Sequence, residues 1–66
     1  MPYRNLVIEN TFEAGRAVQC IIAYLVGSGA GTMEVVGVGK EAVTVEFSAK
    51  NPIVMAWIED KLAPFV

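Results

Sequence analysis

The sequence contains no histidine and a single cysteine, Cys20, among 66 residues. The first shortage removes the commonest general base, and the two together remove the ligands of a structural zinc site, which needs about four Cys or His groups at short spacing. A lone cysteine cannot close an internal disulfide either. No cofactor, metal or covalent staple is therefore expected.

Charge is scarce as well. Five basic residues face seven acidic ones, a formal net charge of −2, with an isoelectric point near 4.8. Such a chain gains little from counterion release on a polyphosphate, so nucleic acid is not an expected partner. No secretory signal is legible, because Arg4 alone is basic at the start and no long apolar run follows it; with one cysteine, this points to a reducing, cytoplasmic setting. The longest stretch without charge, Ala17 to Met33, is 17 residues. Its second half, Gly27-Ser28-Gly29-Ala30-Gly31-Thr32, is turn-like, which leaves about ten apolar residues where a membrane span needs about twenty. A membrane is not an expected partner.

Apolar residues, by contrast, are abundant at 55% of the chain, above the roughly 45–50% of ordinary soluble domains. At this length there is room for one core, so residues 1–66 are read as a single small domain. Domains of this size draw extra stability from disulfides, metals or association, and only association is open here.

Hydrophobic periodicity sets out the elements. Tyr3 to Glu9 alternates at period two, with Leu6 and Ile8 on one face, and reads as a strand. Asn10 is the expected cap of a first helix, with Glu13 reaching back in a capping box. Along that helix Ala14, Ala17, Val18, Ile21 and Leu25 form one stripe. Its later turns also carry Cys20, Ala23, Tyr24 and Val26, a pattern typical of helices covered on both sides.

Gly27, Gly29 and Gly31 are read as the helix stop. Thr32–Val38 and Ala42–Phe47 form an expected hairpin around Gly39-Lys40-Glu41. Val43, Val45 and Phe47 mark the core face of its second strand, so an odd-numbered loop centred on Lys40 sets Val35 opposite Val45 and Met33 opposite Phe47. Val36, Val38, Ala42 and Thr44 then fall on the outer face, with Glu34 opposite Glu46. Asn51 caps a second helix with Pro52 at its first position. Val54, Met55, Ile58 and Leu62 are its core stripe, flanked by Ile53 and Trp57, and Pro64 stops it.

The order strand, helix, strand, strand, helix implies an α+β fold in two layers, an antiparallel sheet with both helices on one face. The nearest topology is the split βαβ, or ferredoxin-like, pattern with its last strand missing or reduced to the tail after Leu62.

Catalytic candidates are few. Glu34 and Glu46 could form an acid/base pair, but facing carboxylates on an open sheet are more simply a tolerated repulsion. Gly27-x-Gly29-x-Gly31 superficially matches a phosphate-cradling loop, yet it follows a helix and precedes a strand, the reverse of a dinucleotide fingerprint. Cys20 lies mid-helix, far from the amides that activate thiols, and is read as a packing residue. Trp57 is read as core edge and Tyr24 as interface. Topology alone licenses no function.

The expectation is therefore not an enzyme but a non-enzymatic protein-protein interaction module: a small adaptor, assembly subunit or inhibitor of another protein, acting as a homodimer. The candidate interface is Cys20, Ala23, Tyr24, Val26, Val36, Val38 and Thr44. Two alternatives are a small-molecule-sensing regulatory module with its ligand near the Gly27–Gly31 loop, and a weak single-stranded nucleic-acid binder using the open sheet with Tyr3, Arg4 and Lys40.

Overall fold

The chain runs β1 (Arg4–Glu9), α1 (Phe12–Ser28), β2 (Gly31–Val38), β3 (Ala42–Ala49) and α2 (Pro52–Leu62) in the computed structural model, which describes residues 3–66. It is a small α+β fold in which one antiparallel sheet has the strand order β1-β3-β2. Both outer strands are antiparallel to β3. They are therefore parallel to each other, and α1 is the crossover between them with β3 inserted in the middle. After α2 the chain makes a 3-10 turn, Ala63–Phe65, so the tail is not a reduced strand.

The helix ends show which local signals prevailed. Thr11, not Asn10, caps α1: its side chain accepts a hydrogen bond from the Ala14 amide at 3.2 Å. Glu13 then lies only two positions beyond the cap, out of step for a capping box. Asn10 has another task, because its side-chain amide donates to the Gly39 carbonyl at 2.9 Å and its backbone amide donates to the Glu41 carbonyl at 3.1 Å. It ties the end of β1 to the tip of the hairpin. Helix α1 continues through Gly27 to Ser28, and its stop is Gly29, at φ 67°, whose amide donates to the Leu25 carbonyl. Gly31 is needed for a different reason: a Cβ there would collide with the Ser48 carbonyl across the sheet. Asn51 caps α2 as expected, accepting from the Val54 amide at 2.9 Å with Pro52 in the first turn.

The expected hairpin register holds from Met33, opposite Phe47, to Val35, opposite Val45, with Glu34 opposite Glu46 between them. It then changes. A β-bulge at Val36 leaves that residue unpaired, so Gly37 faces Thr44 and Val38 faces Val43. The tip closes with the Gly39 amide donating to the Ala42 carbonyl at 2.7 Å. The loop is thus not the odd-numbered one centred on Lys40. The extra residue inverts the alternation beyond it, and Val38 moves to the helix side of the sheet, where it borders a depression with Ile8, Ala14 and Val18.

One core cluster joins the layers. Ile8, Met33, Val45 and Phe47 from the sheet meet Ala14, Val18, Ile21 and Leu25 from α1 and Ile58 and Leu62 from α2. Val54 and Met55 are only partly buried, and Ile53 is 80% exposed, so the core stripe of α2 is narrower than its sequence implies.

Candidate interaction surfaces

The seven candidate residues do not form one surface. Cys20, Ala23, Tyr24 and Val26 are all exposed on α1, although the apolar character of its later turns implies burial on two sides. Four core positions fill its inner face, and a three-stranded sheet with one neighbouring helix offers nothing to cover the rest. Cys20 is accordingly an exposed thiol and not a packing residue. Thr44 is half-buried on the opposite side of the molecule, in the middle of the outer sheet face between Val7 and Gly37. Val36 sits at the bulge, and Val38, 75% exposed, lies on the helix side.

Two apolar regions emerge on the helical layer. On the flank toward α2, the Tyr24 ring lies against Trp57 with centroids 4.8 Å apart and planes inclined at 51°. Together with Ile53 and Val54 these rings line a shallow cavity of about 250 Å³. Trp57 is partly buried here, as a residue at the core edge should be. On the other flank Val26 is 74% exposed, and Val35 and Val38 are exposed along β2. Arg16 supplies a cation near the start of α1, its guanidinium 5.9 Å from the centroid of the Phe12 ring.

The outer sheet face differs. Glu34 and Glu46 are adjacent across the strands, and with Tyr3 and Thr32 they line a depression. Asn5 continues the row on β1 opposite Glu46. Arg4 does not join this face: it pairs with Phe47, a core residue, and its guanidinium contacts Glu59 of α2 at 2.9 Å. The Arg4 and Glu59 side chains are 58% and 41% exposed, and an ion pair this open to water is worth about 0–1 kcal/mol. Among the described residues no group of three acidic or cysteine side chains could hold a metal ion, and no helix is long and apolar enough to cross a membrane.

One feature was not legible in the sequence. Strand β1 lies at an edge of the sheet, with β3 as its partner on one side, and Asn5, Val7 and Glu9 are all exposed along it. The split βαβ reading implied this order but left open whether the tail would pair with β1 and cover its edge; an apolar residue at Val7, between two polar neighbours of the same face, was the available hint.

Comparison with family models, with curated proteins and with solved structures finds no match.

Proposed function

We propose that this chain is a non-enzymatic interaction module that binds another protein and acts as a homodimer, built as a ferredoxin-like domain without a fourth strand. The observation that carries it is the apolar flank of α1 toward α2. Tyr24 remains 49% exposed beside Trp57, with Ile53 and Cys20 open to solvent around it. Aromatic rings held by a neighbour lose little freedom on binding and bring a large apolar area, which is why such residues anchor protein interfaces. Single exposed apolar side chains are ordinary, whereas a contiguous patch of them marks an interaction site.

The topology supports the fold assignment, since β1 and β2 run parallel around β3 with α1 as the split crossover. The small-molecule alternative loses its main motivation, because Gly29 and Gly31 are each accounted for by backbone geometry. The nucleic-acid alternative loses Arg4, which turns toward Glu59, and meets Glu34 and Glu46 on the open sheet.

Light scattering on the eluted protein tests self-association: a mass of twice the 7.1 kDa of one chain is expected, and a monomer at tens of micromolar would remove the homodimer. A photo-crosslinking amino acid at position 20 tests partner binding. One defined protein should be trapped, and Tyr24→Glu should abolish the adduct; an adduct that survives Tyr24→Glu would sink the assignment of this flank.

A further inference from the structure

We propose that a second copy of this chain pairs along the free edge of β1, antiparallel and centred on Val7, to give one continuous six-stranded sheet ordered β2-β3-β1-β1-β3-β2. This rests on the homodimer proposed above and names its interface.

The backbone points to this edge. In an antiparallel pair, alternate residues direct both their N–H and C=O groups to the same neighbour. Asn10 donates to the Glu41 carbonyl across the ladder, one step beyond the Glu9 and Ala42 pair. Ile8, Leu6 and Arg4 therefore direct their groups to β3, while Asn5, Val7 and Glu9 direct theirs outward. Among the described residues these outward groups have no backbone partner. They repeat every second residue over an unbroken register from Arg4 to Glu9. That repeat is a template for another strand.

The other edge is different. Strand β2 carries the bulge, so Val35 and Val36 interrupt its outward repeat, and bulges are a standard protection of edges against pairing. One edge is blunted and one is regular.

The sequence of β1 selects its own copy as the occupant. A symmetric antiparallel pair has its twofold axis perpendicular to the sheet, so a residue on the axis faces itself. Centred on Val7, the pairs are Val7 with Val7, Asn5 with Glu9, and Leu6 with Ile8. Each pair matches in character and in face: Leu6 and Ile8 lie on the helix side, and Asn5, Val7 and Glu9 on the outer side. The two Glu9 side chains stand four positions apart along the ladder, roughly 13 Å at the usual rise per residue, which is beyond the screening length at physiological salt. Centred instead on Leu6, Arg4 would face Ile8 and Asn5 would face Val7, a mismatch on both faces. Val7, 56% exposed between the polar Asn5 and Glu9 of the same face, acquires an apolar partner only in the first of these two arrangements.

Substitution and crosslinking separate this interface from the homodimer itself. In wild type a mass of two chains is expected. Val7→Lys, which places two cations on the axis but replaces an exposed side chain, should give a folded monomer by circular dichroism and light scattering. In a Cys20→Ser background, Val7→Cys should oxidise to a covalent dimer, because directly paired residues lie within the Cα separation a disulfide tolerates. Val36→Cys in the same background should not. A wild-type monomer overturns both the homodimer and this interface. A wild-type dimer that persists in Val7→Lys, or that is lost in Tyr24→Glu but not in Val7→Lys, overturns the β1 interface alone.

Discussion

Tyr24 of α1 and Trp57 of α2 meet with ring centroids 4.8 Å apart, and this tilted aromatic pair pins the two helices to each other above the sheet. Offset and inclined geometries place the positive ring edge toward the negative face of its neighbour and add about 0.5–1.5 kcal/mol beyond area burial. The contact stands at the rim of the core, with one ring half in solvent, so it serves packing and leaves a surface.

A double-mutant cycle on this pair should return that coupling. Trp57→Ala is expected to destabilise by about 2 kcal/mol, below the roughly 3–5 of a fully buried aromatic because Trp57 is only partly buried. Tyr24→Ala should cost less. If the two losses in urea unfolding simply add, the rings do not stabilise each other.

The helix caps make a sharper distinction. Thr11→Ala should lower stability by about 1 kcal/mol through loss of the Ala14 amide's partner, and Asn51→Ala by a similar amount through that of Val54. Asn10→Ala removes a hydrogen bond to Gly39 and no cap. Its effect should appear in the exchange rates of hairpin-tip amides and not in those of the first turn of α1.

Glycine substitutions should split in sign. Gly15→Ala and Gly27→Ala lie within α1 with no atom near a new Cβ, so each should stabilise by about 0.5–1 kcal/mol. Gly29→Ala forces a side chain into the left-handed region and should destabilise by about 1 kcal/mol. Gly31→Ala should be the most damaging, because the obstacle is the backbone of β3. Thermal unfolding of the four variants checks the order, and a neutral Gly31→Ala would contradict the sheet packing.

Glu34 and Glu46 face each other as like charges across β2 and β3. Glu34→Gln should stabilise by about 0.2–1 kcal/mol, and Glu34→Lys by at least as much, with the gain shrinking as salt screens the exposed pair. Denaturant midpoints at low and high salt measure this; a loss of stability in Glu34→Gln would show that the carboxylate has a favourable partner.

Much of this protein was decided locally. The alternation of Val43, Val45 and Phe47, the stripe of Ala14, Val18, Ile21 and Leu25, and the Asn51-Pro52 start each depend on side chains within a turn or strand of one another, so the order of elements and the register near Met33 to Val35 could be read from the sequence. Composition excluded a zinc cluster for the same reason: a missing residue type cannot be supplied by folding.

Other features depended on residues far apart in the chain. Asn10, the cap expected from the sequence, is taken by the hairpin tip and leaves the cap to Thr11, and the bulge that turned Val38 toward the helices lies on β2, which has β3 on one side only. The exposure of Cys20, Ala23, Tyr24 and Val26 followed from how few layers 66 residues can build. The split βαβ reading already implied β3 between β1 and β2, but the free edge at β1 was settled only by the tertiary structure, because a tail read as a missing or reduced strand folds as a 3-10 turn and adds no strand beside β1.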